Sequence, residues 1–252
     1  MLNWVSHPEF TPFEHLAPAE AKLRVLVIDD DADVAKTIEN ALRRSHTVFL
    51  AFSGVQGIQQ ARQIKPDVII LDIVMPGMDG FEVCQRMRDD PLLASTPILF
   101  LTARGRTEDR IQGFQVGADD YITKPFSVQE LELRMQAIMR RIGESSKEPK
   151  SDGCIKVGDV CLNTKTFEVQ VGDRTALLTP IEFELLYHFM THPGEVFSTH
   201  RLLQEVWDYP SDTGSPDLVR MHIRNLRAKI EPEPASPTYL VTISRHGYCL
   251  RA

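Results

Sequence analysis

Between residues 23 and 142, short apolar runs alternate with segments of helical spacing. "KLRVLVI" is a continuous apolar run, and "DVAKTIENALRRS" behind it repeats its apolar positions at intervals of three and four. The same alternation recurs as "TVFLAF" then "SGVQGIQQARQIK", "PDVIILD" then "GFEVCQRMRDD", "TPILFLTA" then a helix over 106–116, and "DDYITKPF" then a helix over 127–142. Strands apolar on both faces, each followed by a helix, predict an α/β doubly wound, five-stranded parallel sheet covered on both sides. Ligands of such sheets sit at the carboxyl ends of the strands, at a topological switch point.

The alternation stops at "GESSKEPKSDG", residues 143–153, which has no apolar side chain and reads as a linker. Residues 154–252 have a different rhythm. Short strands and turns ("IKVGDVCLN", "TFEVQVGD", "RTALL") precede three helical segments ("TPIEFELLYHFMTHPG", "STHRLLQEVW", "DLVRMHIRNLRAKIE") and a closing hairpin, "TYLVTISRHGYCL". This predicts a smaller α+β domain, a helical trio flanked by small sheets. Residues 1–22, with Pro8, Pro12 and Pro18, are expected to form an N-terminal extension.

Composition narrows the setting. The chain is 42% hydrophobic and 25% charged, ordinary for a globular protein. No apolar run approaches the roughly 18 residues of a membrane span. The first residues have neither the basic nor the apolar region of a secretion signal. The spacings of Cys84, Cys154, Cys161 and Cys249 match no zinc pattern, so they are expected to be small buried thiols in a reducing compartment. A cytoplasmic protein with no membrane partner is expected. The net charge of −7 is spread over both halves, with 18 basic and 22 acidic side chains in residues 1–150 and 10 and 13 in the rest. Any attraction to nucleic acid must therefore come from a local cluster.

The acids are clustered too. Asp29, Asp30, Asp31 and Asp33 directly follow the first strand, and Asp72 ends the third. In an open parallel sheet these two strand ends are neighbours, so Asp29, Asp30 and Asp72 converge. Three such carboxylates would force at least one to hold a proton unless a cation intervened. Magnesium, which takes oxygen ligands and often shares a phosphate, suits that need. Asp31 and Asp33 fall where a helix starts, and Asp suits a capping position and the positive end of a helix dipole. Thr102 ends the fourth strand and Lys124 the fifth, adding a hydroxyl and an ammonium beside the carboxylates. Lys124 precedes Pro125, a peptide that is often constrained and can be cis.

"VLVIDD", "IILDIVMPGMDG", "ILFLTA" and "ADDYITKPF", in this order over about 120 residues, resemble the signature of the receiver domains of two-component response regulators, a flavodoxin-like fold. The resemblance implies that Asp72 is the phosphoacceptor and that Asp29, Asp30, Asp72 and the backbone carbonyl of Val74 hold Mg²⁺. It also implies that Thr102 and Lys124 bind phosphoryl oxygens, and that Tyr121 swings inward with Thr102. In the helix over 127–142 the core stripe is Val128, Leu131, Met135, Ile138 and Ile142, which leaves Leu133 exposed. Leu133, with Ile111 and Phe114, is surrounded by Arg110, Asp119, Asp120, Glu130, Arg134, Arg140 and Arg141. The resemblance implies an isologous dimer face there, with pairs such as Arg110–Glu130 and Asp120–Arg134.

The local basic cluster is "LVRMHIRNLRAKI", residues 218–230, which holds Arg220, Arg224, Arg227 and Lys229 and no acid. Val219, Ile223, Leu226 and Ile230 define its buried side, so Met221 and Asn225 are expected on the outer face, flanked by His222 and Arg224. Such a helix fits a major groove. Arg245 and His246 lie near a Gly247 turn in the terminal hairpin. "LTPIEFELLYHF", "MHIRNLRAKI" and "TISRHGY" together resemble the winged helix-turn-helix domain of OmpR/PhoB-type regulators. By that resemblance 218–230 is the recognition helix, 242–250 the wing, and 208–217 a loop that can meet RNA polymerase. Asp217, Arg220, Asn225 and the position of Arg245 depart from the usual family pattern. Because Asn prefers adenine and Arg guanine, no known operator is carried over.

The reading is of a DNA-binding transcriptional regulator, not an enzyme. A sensor histidine kinase phosphorylates it on Asp72, it forms a homodimer on phosphorylation, and it binds two half-sites of double-stranded promoter DNA. One rival is a magnesium-dependent aspartyl-phosphate hydrolase, but Asp33 stands where that pattern expects Thr or Val. The other is a regulator whose receiver is never phosphorylated.

Overall fold

A computed structural model describes residues 22–102, 116–145, 153–210 and 214–251, with side chains throughout except for Thr102 and residues 139–145. The predicted helix over 106–116, with Arg110, Ile111 and Phe114, lies essentially outside the described residues, as do the side chains of Arg140, Arg141 and Ile142.

Five strands, β1 (Arg24–Ile28), β2 (Thr47–Ala51), β3 (Val68–Asp72), β4 (Ile98–Thr102) and β5 (Asp120–Thr123), form one sheet in the order β2-β1-β3-β4-β5. All four pairings are parallel, as the run of both-face apolar strands predicted. Helices α1 (Ala32–Leu42), α2 (Gly54–Ile64), α3 (Gly80–Arg88) and α4 (Val128–Ser145) accompany the sheet. Two apolar clusters cover its faces, one including Leu26, Ile28, Ile69 and Phe100, the other Val25, Val27, Ile70 and Leu131. Helix α4 runs to Ser145, into the stretch expected as linker.

The remainder is the expected α+β assembly. Strands β6 (Cys154–Val157), β7 (Val160–Asn163), β8 (Glu168–Val171) and β9 (Arg174–Leu177) form an antiparallel sheet in sequence order. Helices α5 (Pro180–Thr191), α6 (Thr199–Glu205) and α7 (Pro216–Ile230) follow, then the hairpin β10 (Leu240–Ile243) and β11 (Gly247–Leu250). Thr179 and Glu182 cap α5 reciprocally, with Pro180 at its first position. At Gly247, φ is +139°, and a Cβ would lie 1.9 Å from the Phe197 carbonyl oxygen. Only glycine lets the hairpin bond to the segment before α6, through Phe197 and Tyr248.

One sequence expectation is corrected. Cys154 and Cys161 are joined by a disulfide, while Cys84 and Cys249 are buried and free. Pairing of β6 with β7 sets Cys161 opposite Lys156, one pleat from Cys154 on the same sheet face, with the two Cα atoms 6.3 Å apart. That separation is within disulfide reach. A seven-residue spacing that fits no metal knuckle thus fits a hairpin cross-link.

Candidate functional site

The acidic pocket forms where β1 and β3 lie side by side. Ile28 pairs with Leu71, so the residues that follow, Asp29 and Asp72, emerge together at the carboxyl edge of the sheet. Asp29 is 1% and Asp72 5% exposed, whereas Asp30 is open to solvent. Carboxylate oxygens of all three lie within 4.8 Å of one another. Asp31 has the capping role expected of it, accepting from the Asp33 and Val34 amides at the start of α1, and Asp33 lies in the first helical turn. Behind Asp72 the chain folds back so closely that a Cβ on Gly80 would lie 2.3 Å from the Asp72 carbonyl oxygen. The glycine that ends "MPGMDG" therefore shapes the loop under the pocket.

Lys124 reaches in from the end of β5, past a cis Lys124–Pro125 peptide. Its Nζ is 2.7 Å from Asp29 Oδ2 and 3.3 Å from Asp72 Oδ1. Among the described residues that long ion pair is what Asp72 Oδ1 has, and no hydrogen bond of good geometry reaches this buried oxygen. Burial pushes the Asp72 carboxyl up to about 6, with Lys124 opposing the shift and Asp29 adding to it. Burial also works against the Lys124 ammonium, but Asp29 and Asp72 hold it above its ordinary value. One lysine thus leaves the three carboxylates under-neutralised. A buried carboxylate oxygen with no good hydrogen bond, among oxygen donors, fits a hard divalent cation. Val74 is exposed in the loop after β3. Thr102 ends β4 beside Thr123, and its side chain lies outside the described residues.

The residues expected on a dimer face are placed differently. Leu133 is exposed, as predicted. Asp119 and Asp120 are each only 1% exposed and sit in a seam between the two halves of the chain. Asp119 pairs with Arg88 Nη2 at 2.8 Å and accepts from the Ile98 amide. Its other oxygen accepts from the Ile181 amide at 3.1 Å, in the first turn of α5. Asp120 accepts a hydrogen bond from the Tyr209 hydroxyl at 2.8 Å, and its other oxygen stands 3.4 Å from Arg134. The Arg134 guanidinium lies 3.8 Å from the centre of the Tyr209 ring and 3.5 Å from Glu130. The Asp120–Arg134 pair expected between subunits is therefore made within one chain, where the Tyr209 hydroxyl bonds to Asp120 and its ring lies under the half-buried Arg134. Burial and the adjacent Asp120 raise the Tyr209 hydroxyl well above its usual value. Tyr121 packs against the apolar clusters of both halves.

The basic helix is also more buried than expected. Met221 and His222 are inside, at 8% and 0% exposure, not on an outer face. Helix α7 packs against α5, α6 and β8, so its apolar arc is wider than one stripe, and His222 lies against the Trp207 ring. Arg227 donates to the Leu240 carbonyl and the Thr242 hydroxyl, tying helix to hairpin. Lys229 pairs with Glu182. Arg220 and Arg224 remain exposed, Arg220 paired with Asp217, and Arg245 and His246 are exposed at the hairpin tip. Asn225 and Lys229 line a cleft of about 370 Å³ that is also lined by Gln85 and Arg88 of α3 and by Asp89, which caps it. Neither Arg88 nor Tyr209 was singled out from sequence. Their partners lie 31 and 89 residues away, and no local pattern marks them.

Comparison with known proteins agrees with both halves. The response regulator receiver domain family matches residues 25–136, and the family described as transcriptional regulatory protein, C terminal, matches 173–250. The chain is 40% identical over 228 residues to the DNA-binding dual master transcriptional regulator RpaA of Synechocystis, covering 90% of this chain and 94% of that one. It is 39% identical over 233 residues to the alkaline phosphatase synthesis transcriptional regulatory protein PhoP of Bacillus subtilis, covering 90% and 96%. A solved structure of a RitR mutant shares the fold, with a TM-score of 0.73 at 22% identity over 91% of this chain and 99% of that one. A parallel sheet with an acidic carboxyl edge, a helical trio closed by a hairpin, and these matches give one conclusion: the chain belongs to the OmpR/PhoB-type response regulators, DNA-binding transcriptional regulators of two-component systems.

Proposed function

We propose that Asp72 accepts the phosphoryl group from a sensor histidine kinase in the cytoplasm, and that phosphorylation trades contacts within the chain for contacts between two chains. The observation that carries this reading is the buried Asp72 Oδ1, which among the described residues has a long ion pair to Lys124 and no good hydrogen bond, beside Asp29. Asp72 attacks phosphorus in line with the departing imidazole nitrogen, so one P–O bond forms as the P–N bond breaks. Mg²⁺ held by Asp29, Asp30, Asp72 and the Val74 carbonyl would supply positive charge for the phosphoryl oxygens. Asp72 must be ionised to attack, and neutralisation of its neighbours favours that form. Lys124 turns from Asp29 to a phosphoryl oxygen. The chain is read as a regulator rather than a catalyst acting on a separate substrate.

The relay runs through Thr102 and Tyr121. A Thr102 hydroxyl drawn to the phosphoryl group leaves room for Tyr121, which is wedged between the two apolar clusters. Movement of Tyr121 loosens its neighbour Asp120 from Tyr209. Asp120 and Arg134 then become available, with Glu130, Leu133, Arg110, Ile111 and Phe114, for a second copy. Separation of the halves also opens the cleft beside Asn225 and Lys229. Arg220 and Arg224 of α7, with Arg245 and His246 of the hairpin, supply the exposed basic groups for DNA. Segment 208–217, which carries Tyr209, is the surface for RNA polymerase. Pairing makes the second half-site contact intramolecular and raises avidity.

Intact mass and oligomeric state after incubation with a small-molecule phosphodonor and Mg²⁺ test this reading, in wild type and Asp72→Ala. One phosphate adduct and a shift towards dimer are expected in wild type only, and only with Mg²⁺. No adduct under any condition would remove Asp72 from the mechanism. An adduct without a dimer would remove the proposed pairing face.

A further inference from the structure

The Cys154–Cys161 disulfide joins β6 to β7, apart from the acidic pocket and from the exposed arginines of α7, and it stands in an unusual place for a DNA-binding regulator. DNA shares its compartment with thiol reductants, where disulfides are seldom permanent and those that form are usually redox-responsive. We propose that Cys154 and Cys161 are a reversible redox site, oxidised by low-molecular-weight disulfides, that staples the strand through which the chain enters its DNA-binding half.

Three features carry the proposal. The pair is reachable from solvent, since both cysteines are half-buried while Cys84 and Cys249 are buried. It is set among cations. Lys156 is the direct cross-strand partner of Cys161, and Lys165 Nζ lies 3.5 Å from where a Cβ on Gly153 would sit, next to Cys154. Ammonium groups favour the thiolate, the form that exchanges with disulfides. Finally, the strand it secures needs securing. Among the described residues strand β6 is a sheet edge paired with β7 alone, and it is the first element after the inter-domain segment. Its Ile155 and Val157 pack on the core of this half.

The chemistry balances without a further reagent. A thiolate of the pair attacks a small disulfide, RSSR, forming a mixed disulfide and expelling one RS⁻. The second protein thiolate attacks the protein sulfur of that mixed disulfide and expels the other RS⁻. Two cysteine thiols give up two electrons and two protons in total, and RSSR leaves as two RSH. Closing this short loop removes freedom from the opened hairpin, which corresponds to a stabilisation of β6–β7 of roughly 10- to 100-fold. The effect belongs to the strand, not to DNA affinity. Peeling β6 away would lengthen the tether, residues 146–153 between α4 and β6, by about half, and changes effective concentration less than about twofold.

The test uses the full chain in graded ratios of reduced to oxidised glutathione, followed by alkylation, peptide mass analysis and hydrogen exchange. Cys154 and Cys161 are expected to pass together from two alkylated thiols to one cross-linked species, reversibly. Cys84 and Cys249 should be alkylated only after denaturation. Amides of 155–162 should exchange about 10- to 100-fold more slowly in the oxidised protein. Cys161→Ser should abolish both effects and leave only a glutathione adduct on Cys154. If that variant fails to fold, the cross-linked fraction and exchange rates of the wild type alone decide. Glutathione adducts on both cysteines without a cross-link, a link between chains, a link that survives the most reducing ratio, or equal exchange in both forms would each overturn the proposal.

Discussion

The acidic pocket and the seam around Asp119 and Asp120 both gather buried charge on residues near the ends of receiver strands, yet they handle it in opposite ways. In the pocket, three carboxylates share one lysine among the described residues, and Asp72 keeps a buried oxygen with a long ion pair and no good hydrogen bond there. In the seam, Asp119 is matched by Arg88 and two backbone amides, and Asp120 by Tyr209 and Arg134. The first is under-neutralised, as the proposed cation and phosphoryl site requires. In the second, each carboxylate oxygen has a partner, and although burial still pushes the Asp119 carboxyl up, Arg88 and two backbone amides oppose that shift. A difference in satisfaction, more than in charge, separates a site for chemistry from a site that holds the chain closed.

That contrast can be broken most forcefully at Asp119. Asp119→Ala leaves Arg88 with backbone carbonyls alone and strands the Ile98 and Ile181 amides. A loss of about 3–5 kcal/mol is expected in urea unfolding, as for a buried pair losing one partner. A loss below about 1 kcal/mol would mean that the seam is not satisfied in solution.

The pocket should behave in the reverse sense. Burial raises Asp72 to about 6 in the folded chain. A raised carboxyl binds its proton more tightly in the folded state. Its contribution to stability is therefore complete below about pH 4 and is lost as pH rises through about 6. Without Mg²⁺, wild type should lose roughly 1–3 kcal/mol relative to Asp72→Asn over this window. Added Mg²⁺ should restore it at neutral pH. Parallel curves for the two proteins would show that the pocket is not strained.

Tyr209→Phe sharpens the comparison by removing one hydroxyl from the seam and leaving the pocket untouched. A hydrogen bond to a carboxylate contributes roughly 1.5 kcal/mol, about tenfold in the opening equilibrium. Phosphorylation of Asp72 by a small phosphodonor should accelerate by up to about tenfold, with a larger radius of gyration. An unchanged rate would uncouple the two sites. The smallest effect is expected at the exposed arginines. Arg220→Ala and Arg224→Ala should each weaken binding across DNA sequences or relax one position. Where the arginine held a phosphate, its removal should reduce the salt slope by about one. Lys229→Ala, tied to Glu182, should leave that slope unchanged.

The pocket could be read before the structure because its parts are written in local patterns. A both-face apolar strand ending in Asp29 and another ending in Asp72 suffice, once strand order is inferred, to bring the carboxylates together. Lys124 before Pro125 and the capping Asp31 are equally local. Where a helix meets several neighbours the sequence misleads. A single stripe on α7 suggested an outward Met221 and His222, but packing on α5, α6 and β8 buries both. The cysteine spacing misleads for a similar reason, since seven residues acquire meaning only when β6 and β7 pair in a particular register.

By itself, then, the sequence determined the two-part architecture, the parallel sheet and the convergence of Asp29, Asp30, Asp72 and Lys124. Side-chain periodicity and strand termini are properties of neighbours along the chain. Only the tertiary structure decided that Asp119 and Asp120 face the second half of the same chain, that Arg88 and Tyr209 hold them there, and that Cys154 meets Cys161. Those contacts join residues far apart in sequence or depend on register. Their energies come from burial and complementary geometry, which no local pattern encodes.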